Sequence, residues 1–159
     1  MTEMDLNDFK TAMSRWASSV AVVCTVDEQE RLIGFTATSF TSVSLDPPLV
    51  LFCLGAESTR TATFDKSRHF TVNFLSAGQQ ALAGRFAEQG SPDYSDVPTV
   101  PGTRSIPLLE GCMAYLECDL NARYAAGDHH IYVCRVRETL LRQEAPLVYF
   151  MRDYHRLEP

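Results

Sequence analysis

Between Leu6 and Ala17 the apolar residues Leu6, Phe9, Met13 and Trp16 recur every three or four positions, the spacing that lines one face of a helix. A helix is predicted there, capped by Asn7 or Asp8, with its stripe packed into a core. From Val20 to Val26 (VAVVCTV) the pattern changes to an unbroken β-branched run, which predicts a central strand. The charged stretch Asp27–Arg31 then makes a turn, and Leu32-Ile33-Gly34 opens the second strand of a hairpin. That strand runs into GFTATSFTSVSLDPPLVLF (Gly34–Phe52), where Thr36, Thr38, Ser39, Thr41, Ser42 and Ser44 place six hydroxyls in nine residues. Asp46-Pro47-Pro48 stops the segment, because two prolines fix φ and remove two donors. Leu49–Leu54 follows as a buried strand.

The second half alternates in the same way. A Ser/Thr cluster at Gly55–Thr61 precedes a short helix over Ala62–Lys66. His69–Leu75 alternates Phe70, Val72 and Phe74 with polar residues and predicts a half-buried strand. Ser76–Gln89 reads as a helix with Ser76 as its N-cap and Leu82 and Phe86 inward. Gly90–Pro107, with Pro92, Pro98, Pro101 and Pro107, is an excursion over one face, suited to a lid or a dimer contact. Strands are predicted at Cys112–Tyr124 and Ile131–Thr139, joined by a turn at Ala125–His130, and again at Pro146–Phe150. Six or seven short strands, few helices and hairpin links define a mainly β fold, an antiparallel Greek-key barrel in a single domain over 1–159. No GxGxxG follows a strand, so a dinucleotide would bind by another route than a Rossmann crevice.

Composition narrows the chemistry. A net charge of −6 over 159 residues argues against phosphate-backbone recognition, so no nucleic acid is expected. No apolar run is long enough to span a bilayer, and acids occupy the N-terminal residues where a signal peptide carries basic ones; a cytoplasmic protein is expected. The five cysteines show no C-x-x-C pair, which favours reduced core thiols over a disulfide framework or a metal site. The hydroxyl-rich stretch beside Phe40 suits a polar, planar ligand with a phosphate tail, since each hydroxyl donates and accepts. Arg60 is suited to bidentate contact with phosphate oxygens. His130 and His155 read as surface histidines.

Several segments together resemble the flavin reductase-like family with the FMN-binding split barrel, over about Phe9–Leu157. GFTATSFTSVSLDPPLVLFCL is similar to that family's G-[MV]-T-A-N-S-F-x-S-V-S-L-x-P-P. Gly127-Asp128-His129 is similar to its G-D-H turn, Ala83–Ala87 to its A-x-R-F-A, and Pro107–Gly111 to its P-L-L-x-G. The resemblance implies that Thr36, Ala37, Thr38, Ser39 and Phe40 line the isoalloxazine and ribityl parts of FMN or FAD. It implies that Cys53 and Leu54 end the neighbouring strand, and that Ser58, Thr59 and Arg60 hold the phosphate. Arg85 and Phe86 would flank the far side of the ring. His129 would approach the nicotinamide of NADH or NADPH, oriented by Asp128 after Gly127, with Tyr154 near the same mouth. Thr38 stands where the family has Asn, which exchanges an amide for a hydroxyl.

By that resemblance the expected activity is NAD(P)H:flavin oxidoreduction, with reduced flavin supplied to a partner monooxygenase and a homodimer as the working unit. The alternatives are a non-catalytic flavin-binding module on the same barrel, and an oxidase of the pyridoxamine-phosphate type, which would need a more basic pocket. Contacts between copies are expected at the N-terminal helix and at Gly90–Pro107.

Overall fold

The structure is a computed structural model that describes residues 4–90 and 92–157. The chain begins with helix α1 (Leu6–Ser14), then β1 (Ser18–Ser19), β2 (Ala21–Val26), β3 (Leu32–Ala37), β4 (Thr41–Leu45) and β5 (Pro48–Gly55). Helix α2 (Thr61–Lys66), β6 (His69–Phe74) and helix α3 (Gln80–Ala87) follow. Short strands β7 (Thr99–Val100) and β8 (Leu108–Leu109) precede the long hairpin of β9 (Ala114–Ala126) and β10 (His129–Leu141). β11 (Leu147–Phe150) and β12 (Asp153–Arg156) close the chain.

Seven strands form one antiparallel sheet in the order β3-β2-β6-β9-β10-β5-β4, and β1, β11 and β12 form a small second sheet. The large sheet curls on itself. Phe35 on β3 lies 6.0 Å from Phe52 on β5, although their strands sit near opposite ends of the order. Phe70 on β6 and Tyr132 on β10 complete this interior, and Phe64 of α2 plugs it, 5.3 Å from Phe35 and 5.4 Å from Phe70. Edge-to-face and offset pairs of this kind suit an aromatic core. A second cluster lies on the outer face of β2, where Val20, Val22 and Cys24 meet Phe86, Tyr94, Leu109 and Leu147. β2 is therefore covered on both faces, which explains its unbroken apolar sequence.

Several expectations are corrected. The α1 cap is Asp5, whose side chain accepts from Asn7 N at 2.7 Å. The α1 stripe faces solvent in the single chain, with Leu6, Phe9, Met13 and Trp16 46–71% exposed, because none of the other described residues covers it. β5 is half-buried and not fully buried: Val50, Phe52 and Leu54 face in, while Leu49, Leu51 and Cys53 face partly out. β6 is the reverse case, with Thr71 and Asn73 buried too. Asn73 donates to Val22 O at 3.0 Å and accepts from Leu109 N at 2.9 Å, so its amide is satisfied inside. Ser76 does not cap α3, which starts later; its N–H donates to Gln79 Oε1 at 2.9 Å.

Gly90–Pro107 is not a loose lid. Tyr94, Val97 and Ile106 are buried, and Tyr94 stacks on Phe86 with ring centroids 4.1 Å apart. Farther on, the buried Glu117 accepts from Thr103 N (2.8 Å), Thr103 Oγ1 (2.8 Å) and Arg104 N (3.1 Å). The turn between β9 and β10 is tighter than expected, since Ala126 and His129 pair directly around Gly127-Asp128. Gly127 has φ +60°, which a side chain would strain. β12 was not anticipated; its polar sequence DYHR carries no apolar alternation. No helix among the described residues is long and apolar enough to cross a membrane.

Candidate active site

The hydroxyl-rich segment divides between two jobs. Thr36, at the end of β3, donates to Ala83 O on α3 at 2.6 Å, and Ala37 is buried. The chain then bends at Thr38-Ser39-Phe40 before entering β4, the edge strand. Ser39 Oγ donates to Cys53 O and accepts from Cys53 N, both at 3.1 Å, so the bend is stitched to β5. Phe40 packs edge-on against Phe74 at 5.0 Å, and Thr38 is exposed.

Across β5 the register brings Cys53 opposite Ile131, Leu54 opposite His130 and Gly55 opposite His129. Asp128 O accepts from Ala56 N at 2.9 Å, which docks the hairpin tip on the end of β5. His129 Nδ1 lies 2.7 Å from Asp128 Oδ1. A carboxylate only accepts, so Nδ1 carries the proton and Nε2 of the neutral ring is left with its lone pair. The bond holds the Asp128 carboxyl below the usual carboxylate range. A Cβ on Gly55 would stand 3.9 Å from His129 Nε2, so the missing side chain leaves flat backbone beside the imidazole. The exposed Thr38, the stitched Ser39–Cys53 pair, the Gly55 backbone and the imidazole form a shallow polar shelf at one end of β4, β5 and β10. A planar heterocycle needing in-plane donors and one open face fits that shelf.

The Ser58–Thr61 turn follows directly. Ser58 N donates to Gly55 O at 3.0 Å and Thr61 Oγ1 to the same oxygen at 2.8 Å, which folds the turn back on β5. Ser58 Oγ accepts from Arg60 N at 3.3 Å, and the Thr59 hydroxyl donates to Gly90 O. Arg60 does not reach outward. It is 6% exposed, and it donates through Nε to Gly34 O (2.7 Å) and through Nη2 to Glu88 O (2.5 Å) and Tyr94 Oη (3.1 Å). A buried guanidinium with three internal acceptors is a strut, which leaves Ser58 and Thr59 as the phosphate candidates.

Three further expected residues lie elsewhere. Phe86 is fully buried between Gly34 and Tyr94 and reaches no surface. Arg85 pairs with Asp96 through both terminal nitrogens and donates to Asp93 O at 2.6 Å, which pins the 93–96 segment. Tyr154 packs edge-on against Tyr149 with ring centroids 5.3 Å apart in the small sheet, against the outer cluster. A cleft of about 720 Å³ has Thr59 and Arg60 in its wall together with Gly90, Pro92–Ser95 and residues of the Asp27–Ile33 turn. Ser39, Cys53 and His129 do not line it, so volume and chemistry disagree, and the residues identify the site.

His130 is half-buried and does not stand free on the surface: its Nδ1 is buried and lies 3.5 Å from Asp65 Oδ1. Asp65, Arg123 and Tyr132 around it escaped sequence reading because they come from three elements far apart in the chain. The one available signal was alternation, which puts His130 and Tyr132 on the same face of a strand.

Comparison with known proteins gives the family. Residues 13–158 match the flavin reductase like domain, and the chain belongs to that family of split-barrel proteins. It is 40% identical over 151 residues to the 4-hydroxyphenylacetate 3-monooxygenase reductase component of Thermus thermophilus, covering 94% of this chain and 95% of that one. It is 37% identical over 141 residues to the FMN reductase (NADH) SmoA of Agrobacterium fabrum, covering 89% and 80%. Among solved structures, the NADH:FAD oxidoreductase SgcE6 of Streptomyces globisporus, in complex with NAD and FAD fragments, superposes with a TM-score of 0.90 at 32% identity, covering 100% and 98%.

Proposed function

We propose that this chain, acting as one domain, is an NADH-dependent flavin reductase that reduces free FMN or FAD and hands the reduced flavin to a separate monooxygenase. The observation that carries the reading is the shelf of Thr38, Ser39, Cys53 and Gly55 facing an imidazole whose tautomer is set by Asp128. Relatives named as reductase components and as NADH-using flavin reductases support it. Hydride transfer is chemistry that the flavin and the nicotinamide supply when bound. The protein's share is to hold two planar rings in an attack geometry. In this reading Thr38 and the backbone of 36–40 and 53–55 receive one ring, and Ser58 and Thr59 its phosphate. In the same reading His129 borders the second ring as an orienting group, its own ring held by Asp128.

A homodimer fits the same reading. The α1 stripe and the outward residues Val43, Leu45 and Tyr124 leave apolar surface on the single chain, Leu45 being 94% exposed. A second copy would cover such surface and deepen a shallow shelf. Five free thiols fit a reducing, cytoplasmic setting.

The deciding experiment follows NADH absorbance with and without added FMN or FAD. Rapid oxidation only with added flavin, and a fall of about tenfold or more in kcat/KM for NADH in His129→Ala, is the expected result. Flavin binding with no oxidation of NADH or NADPH would leave a flavin-binding module instead.

A further inference from the structure

Asp65, in the last turn of α2, lies outside the shelf, yet three side chains converge on its Oδ1. Tyr132 Oη donates to it at 2.5 Å, Arg123 Nη1 forms an ion pair with it, and His130 Nδ1 lies 3.5 Å away. His130 Nδ1 is buried and has no hydrogen-bond partner among the described residues, so Asp65 is the group it faces. Arg123 and Tyr132 are cross-strand partners on β9 and β10, and His130 stands two residues before Tyr132 on the same face. Burial alone would raise the Asp65 carboxyl, but the bonds from Tyr132 and Arg123 outweigh it and hold the group below its usual range.

The two ends of this hub carry the two halves of the candidate site. Helix α2 starts directly after Ser58-Thr59-Arg60, and β9–β10 ends in Gly127-Asp128-His129. A helix of six residues without a side-chain cap has little stability of its own. Its start is tied to β5 by Thr61, Phe64 enters the aromatic interior, and its last turn is tied to the hairpin by Asp65. We propose that Asp65 is a positioning residue that fixes the phosphate turn relative to the histidine hairpin, so that losing its carboxylate weakens flavin and NADH binding together. The ligands named here rest on the reductase reading; the mechanical link between α2 and the hairpin does not.

The test compares Asp65→Ala and Tyr132→Phe with the parent protein. Tyr132→Phe removes one donor from the hub and keeps the ring that stacks on Phe52, so it guards against a simple folding failure. In Asp65→Ala the KM values for flavin and NADH are expected to rise together, each about threefold to tenfold, with kcat changed less than about twofold. Tyr132→Phe is expected to move both in the same direction by less. Amide exchange across residues 125–131 is expected to quicken in Asp65→Ala without any ligand. Unchanged KM values, whatever happens to the melting temperature, would make Asp65 a strut and overturn the proposal, as would a rise for flavin alone. If the parent protein oxidises no NADH, the reductase reading fails separately. Hairpin exchange, with flavin binding read from fluorescence quenching, then decides the positioning role.

Discussion

Gly34 is the most crowded of the glycines. A Cβ there would come within 2.9 Å of both Cys24 Sγ and Phe86 Cε1, and its carbonyl accepts from Arg60. Gly34→Ala is expected to destabilise by about 1–3 kcal/mol through overpacking, read as a lower denaturant midpoint. At the shelf, Asp128→Asn keeps an oxygen that can accept from His129 Nδ1 but loses the charge. Its kcat/KM for NADH is expected to fall less than that of His129→Ala. At this scale the sequence was readable only where function imposes a motif. Gly127-Asp128-His129 and Thr38-Ser39 announce themselves as neighbours in the chain, whereas Arg60 did not reveal its inward aim. A buried arginine is legible only once Gly34 O, Glu88 O and Tyr94 Oη are seen to surround it.

Among the elements, an unbroken apolar run identified β2, and alternation of apolar with polar residues identified β6 and β10. It failed where burial comes from elsewhere. Asn73 looked like the wet side of β6, yet it is buried, with Leu109 N of β8 donating to its Oδ1. α1 showed the opposite failure, since amphipathic spacing says that a face must be covered but not by what. The excursion owes its order to Glu117, which takes three donors in a buried position. In Glu117→Gln an amide group must face donors that the carboxylate accepts. A loss of about 1–3 kcal/mol is expected, together with faster proteolysis around residues 99–107.

For the whole molecule, the barrel was foreseeable from strand count and hairpin links, but its closure was not. Phe35 and Phe52 meet only because the seven-stranded sheet curls, and no local pattern encodes that. Association is the first prediction at this scale. Sedimentation at micromolar concentration is expected to give twice the 17.8 kDa chain mass, and a single species at 17.8 kDa would refute the homodimer. Acid stability is the second. In Asp96 the bonds from Arg85 lower the carboxyl, and in Asp119 burial is outweighed by the bonds from His69 and Arg137. With Asp65 and Asp128 also depressed, the stability these groups contribute is complete above the ordinary aspartate value of about 3.9. It is lost as pH falls through their lower folded values. The denaturant midpoint should therefore stay level from neutral pH to about 5 and drop below about 4.

The buried thiols bear on how such a catalyst survives its own product. Reduced flavin left in air passes its electrons to oxygen and yields hydrogen peroxide, whose protein target is the thiolate. Burial pushes Cys112 and Cys118 up to about 12 and drives Cys24 and Cys134 upward as well. Cys53, the thiol nearest the shelf, is raised too, chiefly by burial and against the Ser39 bond. A peroxide challenge of the folded protein, followed by intact mass, should find oxygen added at Cys53 before any other cysteine, and the four interior thiols untouched until the barrel opens. A protein that releases an autoxidisable product would thereby keep its four interior sulfurs out of reach of the by-product, with Cys53 the one thiol left open to it.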